Sequence, residues 1–161
     1  MLSRAKIEAM KYLKKEFEDL KSNDILASAL GCTVGLRGNS DYFKWQIILL
    51  GPLDSPYAGG LFYINFDFPD NYPRKQPEVR FQNKIYHLNV NGNNGHISMP
   101  ILNYWKAKYS IFNIISDIFA SFYEQDYCDA YSYQMAKEYK NNRKEFERKA
   151  REWTQQYASI E

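Results

Sequence analysis

The feature that most limits what this chain can fold into is a strict alternation. Phe62, Ile64, Phe66 and Phe68 are interleaved with Tyr63, Asn65 and Asp67. Side chains in a strand point to opposite faces in turn, so this segment needs a core on one side and tolerates water on the other. Pro69, Asn71 and Pro73 end it. The run Phe43–Leu50, closed by Gly51-Pro52, reads as a well-buried strand. Val79 and Phe81 mark a short further strand, and a first strand falls between Ile25 and Trp45, where Gly31, Gly35, Gly38 and Asn39 weaken the signal. Ahead of the strands, positions 3–22 carry Ile7, Met10, Leu13, Phe17 and Leu20 at helical spacing, with Lys11, Lys14, Lys15, Glu16 and Glu18 between them. Behind them, Ser110 is a candidate N-cap for a helix bearing Ile111, Ile114, Ile115, Ile118, Phe119 and Phe122. Two more helices are predicted over 130–140 and 142–158, the last with Phe146, Ala150, Trp153 and Tyr157 as its buried stripe. Helix, sequential strands, long loop and terminal helices predict an α+β fold with an antiparallel meander, in one domain spanning 1–161.

Composition removes several functional classes. The 21 basic and 19 acidic residues leave a net charge of +2, too little field to drive nucleic-acid or membrane binding. No apolar run reaches the length of a membrane span, and the charged first 25 residues end without a small-residue cleavage site. Cys32 and Cys128 are too few and too far apart for a zinc cluster or disulfide framework, and read as free thiols. These points together predict a cytoplasmic or nuclear protein. No HExxH, CxxC or glycine-rich phosphate loop is present, so neither a metal nor a cofactor is expected.

Residues 83–106 change character, with Asn89, Asn91, Gly92, Asn93, Asn94 and Gly95 clustered together. So long a connection in a small domain suggests a functional loop. It holds both histidines, His87 and His96, each by itself an ordinary loop histidine. Ser98, a histidine and Asp129 can be drawn as a hydrolase triad, but no GxSxG elbow supports it.

The stretch Lys84-Ile85-Tyr86-His87-Leu88-Asn89-Val90-Asn91 resembles the KIYHPNIN signature of ubiquitin-conjugating enzymes, the E2 family. Gly95-His96-Ile97-Ser98-Met99-Pro100-Ile101-Leu102 resembles that family's GSICLDIL segment, with Trp105 soon after. Phe43-Lys44-Trp45 is similar to its FHW, and Gly51-Pro52 with Asp54-Ser55-Pro56-Tyr57-Ala58-Gly59-Gly60 to GPxDSPYxGG. Phe68-Pro69, Tyr72-Pro73 and Pro77 are similar to FPxxYPxxPP, and Ala150-Arg151-Glu152-Trp153-Thr154 with Tyr157-Ala158 to AREWTxKYA. Each match alone is weak; all of them in order cover nearly the whole chain.

The resemblance implies the UBC fold and acyl-transfer chemistry. Such an enzyme takes ubiquitin, or a ubiquitin-like protein, from an E1 activating enzyme as a thioester and passes it to a lysine, usually with an E3 ligase. ATP is used by the activating enzyme and not bound here. A thiolate suits the task because it both attacks and leaves well near neutral pH. Asn89 matches the asparagine whose amide serves the loop or the developing oxyanion, and His87 the histidine of the same signature. Asp129 matches a residue that positions and deprotonates the incoming lysine; an equal alternative is a helix N-cap.

The departures matter as much. Ser98 stands where the family has its nucleophilic cysteine. A serine hydroxyl is scarcely ionised at neutral pH without a base, so the chain is expected not to form a thioester. A natural, catalytically inactive variant working through ubiquitin, a ligase or a partner E2 accounts for this. So does an active transferase carrying an engineered cysteine-to-serine change, or an unusual use of serine. Leu88 replaces the family proline, Pro100 the common aspartate, and the Asn89–Ser98 interval is one residue longer. Cys128, beside Asp129, is either a relocated nucleophile or a plain loop cysteine. On the partner-binding surfaces, Arg74 replaces a phenylalanine and Lys106-Ala107-Lys108 replaces Ser-Pro-Ala, which alters or re-specifies ligase binding. Lys11 and Lys15 match positions used for activating enzyme and ligase, or simply form a solvated helix face.

Overall fold

The computed structural model describes residues 2–38 and 40–160; Asn39, read above as one of the breakers near the first strand, lies outside them. In chain order the elements are α1 (Arg4–Lys21), α2 (Asp24–Ser28), β1 (Cys32–Leu36), β2 (Lys44–Leu50), β3 (Leu61–Asp67) and β4 (Glu78–Phe81). Then come α3 (Pro100–Asn103), α4 (Ile111–Ser121), α5 (Tyr133–Asn141) and α6 (Arg143–Tyr157). The strands pair antiparallel in the order β1-β2-β3-β4, the expected meander. None of the helices among the described residues is long and apolar enough to cross a membrane.

Register follows from the alternation. Trp45, Ile47 and Leu49 of β2 stand opposite Phe66, Ile64 and Phe62 of β3, and Ile64 and Phe66 stand opposite Phe81 and Val79 of β4. A shift of one residue would turn this whole set into water. The inner face shares one core with Leu13 and Leu20 of α1 and with Ile111, Ile114, Ile115 and Ile118 of α4. Ser110 caps α4 as expected, and Asn113 completes a reciprocal pair by accepting from the Ser110 N–H at 2.9 Å.

Several expectations are corrected. β2 is not buried on both faces: Trp45, Ile47 and Leu49 are inside, while Lys44 and Leu50 are exposed. A sheet in an α+β protein is covered on one side only, so an apolar run need not mean two buried faces. On α6 the buried stripe is Phe146, Ala150 and Thr154, followed by Ala158. Trp153 and Tyr157 stack edge-on against each other at its flank, Tyr157 being exposed. Thr154 satisfies its hydroxyl by donating to the Ala150 carbonyl at 2.8 Å, which is how a polar residue joins the stripe. On α1, Ile7 is exposed; Ala9, Leu13 and Leu20 form the buried line. The short helices α2 and α3 were not anticipated.

Phe146, with Leu88, Ala136 and Tyr139, forms a second, smaller cluster that seats α5 and α6. Leu88 thus packs the segment after β4 onto the C-terminal helices, and the candidate site lies along that seam.

Candidate functional site

The Asn/Gly-rich stretch is a tight hairpin held by its own side chains. Asn91 Oδ1 accepts from the N–H of Asn93 at 2.8 Å and of Asn94 at 3.2 Å, and Asn94 Oδ1 accepts from His96 N–H at 2.9 Å. Gly95 adopts φ +76°, and a side chain there would strike the Phe81 carbonyl at 2.0 Å, so the turn presses directly on β4. The Ser98 N–H then donates to the Asn89 carbonyl at 2.8 Å, setting the two signature segments side by side.

Beneath them lies a buried polar floor. His87 is 1% exposed, and burial holds its imidazole down to about 3. Its Nδ1 accepts the Asn89 N–H at 3.0 Å, which assigns the proton to Nε2, 3.0 Å from Ser121 Oγ and 3.2 Å from the Ser121 carbonyl. Asn89 is also fully buried, and both ends of its amide engage one residue. Nδ2 donates to the Asp126 carbonyl and Oδ1 accepts the Asp126 N–H, each at 2.9 Å. Of the two duties that resemblance allowed this asparagine, the geometry matches the loop-holding one. Gln125 completes the floor: Oε1 accepts the Leu88 N–H at 2.8 Å, Nε2 donates to Tyr57 Oη at 2.6 Å, and its own N–H donates to Tyr139 Oη at 2.9 Å. Tyr57 Oη in turn donates to the Tyr86 carbonyl at 2.6 Å.

Above the floor is an open rim. Asn103, at the end of α3, donates from Nδ2 to Ser98 Oγ at 3.1 Å and to Asp129 Oδ1 at 3.3 Å. The structure therefore brings Ser98 and Asp129 together through a residue that the sequence reading missed. Asp129 titrates above the ordinary aspartate range, first through desolvation and then through the neighbouring Asp126 carboxylate, with the Asn103 bond opposing. It does not cap α5; Ser132 does, accepting the Met135 N–H at 3.2 Å. Asp126 Oδ1 instead turns the preceding loop, accepting from the N–H groups of Cys128 and Asp129. Cys128 is exposed on that loop, whereas Cys32 is buried and its thiol is pushed up to about 12. His96 Nδ1 faces Tyr131 Oη at 2.9 Å. Gln125 and Asn103 carried no sequence signal of their own, because what selects them is a partner far along the chain; Tyr57 stood in a family motif, with nothing there to show its place in this floor.

The expected partner residues lie on three joined segments. Tyr72 donates its hydroxyl to the Glu16 carboxylate of α1, and Trp105 Nε1 donates to the Pro73 carbonyl at 2.7 Å. These bonds tie the helix of Lys11 and Lys15 to the loop of Arg74, and that loop to the segment of Lys106, Ala107 and Lys108; all six residues are exposed. Burial drives the Glu16 carboxyl up to about 7.

Comparison with known proteins agrees with this architecture. A family model described as ubiquitin-conjugating enzyme matches residues 12–154. A crystal structure of a candidate ubiquitin conjugating enzyme from Plasmodium yoelii superposes with a TM-score of 0.81 at 27% identity, over 95% of this chain and 97% of that one. A Toxoplasma gondii ubiquitin conjugating enzyme E2 domain gives 0.79 at 29% identity, over 92% of this chain and 98% of that one. With the meander, the signature segments and the family match in agreement, this chain belongs to the ubiquitin-conjugating enzyme family.

Proposed function

We propose that this protein is a ubiquitin-conjugating enzyme variant that forms no thioester and acts by binding ubiquitin or a ubiquitin-like protein, an E3 ligase or a partner E2. The observation that carries this reading is Ser98 itself. Its Oγ accepts a bond from the Asn103 amide, and an amide donor cannot take the hydroxyl proton. Both histidines are engaged elsewhere, with His87 buried and His96 turned to Tyr131. A serine so placed lacks the activating base on which serine nucleophiles depend. Leu88 supports divergence beyond a single substitution. Where the family has a proline, which carries no N–H, this chain has a buried donor met by Gln125 Oε1 at 2.8 Å. The rebuilt contact belongs to a site that has changed in several places together.

A second reading, an active transferase whose cysteine was replaced by serine, is favoured by the intact Asn89–Asp126 clamp and by Asp129 standing one amide away from Ser98. Incubation with activating enzyme, ATP and ubiquitin, followed by non-reducing electrophoresis, separates the two. The unmodified chain is expected to form no thiol-sensitive adduct. Such an adduct would overturn the reading of Ser98 and point to Cys128. Rapid charging of Ser98→Cys makes the scaffold competent and favours the second reading; a Ser98→Cys protein that stays uncharged supports the first.

A further inference from the structure

At an acyl-transfer site the carbonyl oxygen of the acyl group becomes an oxyanion, and a hydrogen-bond donor aimed at that place lowers the barrier. Two asparagines lie near Ser98. Asn89 is fully buried, with Nδ2 and Oδ1 both bonded to the Asp126 backbone. Turning that amide toward an acyl group would strip the Asp126 N–H and carbonyl of their partner. Asn103 has the opposite setting. It is exposed at the end of α3, and its Nδ2 already lies 3.1 Å from Ser98 Oγ and 3.3 Å from Asp129 Oδ1. An acyl group on the residue at 98 would have its carbonyl oxygen two bonds from the atom that Asn103 now contacts.

We propose that Asn103 is the positioning residue of this site: its amide links the nucleophile position to the Asp129 carboxylate and faces the acyl carbonyl, while Asn89 holds the loop beneath. The proposal rests on the second reading above, in which position 98 holds a cysteine and the site transfers an acyl group. In the transfer step a neutral lysine amine attacks the acyl carbon. A nitrogen–carbon bond forms, the carbon–sulfur bond of a cysteine at 98 breaks, the sulfur leaves as thiolate, and the Asp129 carboxylate accepts the proton that the amine sheds. Asn103 acts at both ends of this step. It donates to the oxygen that gains charge, and its second bond favours the charged form of Asp129 and holds that carboxylate toward position 98.

The test uses the Ser98→Cys protein charged with ubiquitin, freed of activating enzyme, and discharged onto free lysine between pH 6 and 9. Asn103→Ala in that background is expected to slow discharge about tenfold, below the roughly 10²–10³ lost with one donor in a water-excluded site, because this site is open to water. It also removes a bond that favours the charged Asp129, so the Asp129 carboxyl, followed by carbon NMR in the uncharged protein, titrates at higher pH in Asn103→Ala. Asn103→Gln, which keeps the amide, is expected to recover at least half of the lost rate. An Asn103→Ala protein with an unchanged rate overturns the proposal, as does an Asn89→Ala protein that keeps its folded loop yet loses more rate than Asn103→Ala. If Ser98→Cys takes no ubiquitin, the acyl-transfer reading fails separately. The carboxyl titration of Asp129 by carbon NMR in the unmodified chain then decides the link. A higher Asp129 pKa in Asn103→Ala supports it, and an unchanged one overturns it.

Discussion

The floor and the rim of the site differ in how their polar groups are satisfied. His87, Asn89, Gln125 and Tyr57 are buried, and each spends its hydrogen-bonding atoms on one fixed neighbour or another. Ser98, Asn103 and Asp129 touch water, and the two bonds among them, at 3.1 and 3.3 Å, are longer than the 2.6–2.9 Å side-chain bonds of Asn89, Gln125 and Tyr57. Burial makes an unmet donor or acceptor costly, so a floor residue is held to a single arrangement. At the rim, water can replace any lost partner, and side chains there are free to follow chemistry. A serine at position 98 is therefore compatible with an intact scaffold, while the same freedom at position 89 is not.

The largest expected effect comes from breaking the floor. Asn89→Ala leaves the Asp126 N–H and carbonyl without their partner and opens a small void, which should cost about 2–3 kcal/mol in urea denaturation. A loss under about 0.5 kcal/mol would mean that the clamp is dispensable and the contrast with the rim is false.

The next effect reads the floor through pH. His87 binds its proton far less readily in the folded state, near 3, than the ordinary imidazole near 6.5. A depressed folded pKa gives stability that is present above the unfolded value and is lost as pH falls toward the folded one. Stability should thus decline by about 1–2 kcal/mol between pH 6.5 and 5 on this account, and His87→Gln should flatten that slope. Glu16 works in the opposite sense. With its carboxyl raised to about 7 from an ordinary 4.5, its contribution is fully present below 4.5 and is lost as pH rises through 7. The His87→Gln comparison isolates the first term from the second.

The smallest effect is expected at the rim. Ser98→Ala and Cys128→Ala should each change unfolding free energy by no more than about 0.5 kcal/mol, because neither side chain fills a buried space. A rim substitution as costly as Asn89→Ala would show that Ser98 belongs to the load carried by the fold.

The sheet and α4 were legible from sequence because their signals are periodic and local. The alternation in β3 and the Ser110 cap need no knowledge of what lies across the core. Of the predicted C-terminal stripe Phe146, Ala150, Trp153 and Tyr157, the first two are buried; packing puts Thr154 and Ala158 in place of the others, because small side chains suit close approach to the β3 end, where the Ala158 carbonyl accepts the Leu61 N–H at 2.9 Å. Helices α2 and α3, of five and four residues, are too short to show a period. Among the site residues, Ser98, Asn89, His87 and Asp129 were found by resemblance. Asn103 was not, since nothing at its own position marks it. Only the turn of α3 and the Asp126 loop carry its amide to Ser98 on one side and to Asp129, 26 residues later, on the other.

By itself, then, the sequence determined the class of fold, the inner face of the sheet, the family and the serine where a cysteine is expected, because each of these is written in neighbouring residues or in an ordered set of short motifs. The tertiary structure alone decided which asparagine is buried as a brace and which faces the nucleophile position. That choice depends on contacts between segments some 26 to 37 residues apart, and on whether water reaches the amide, and neither is set by the identity of an asparagine.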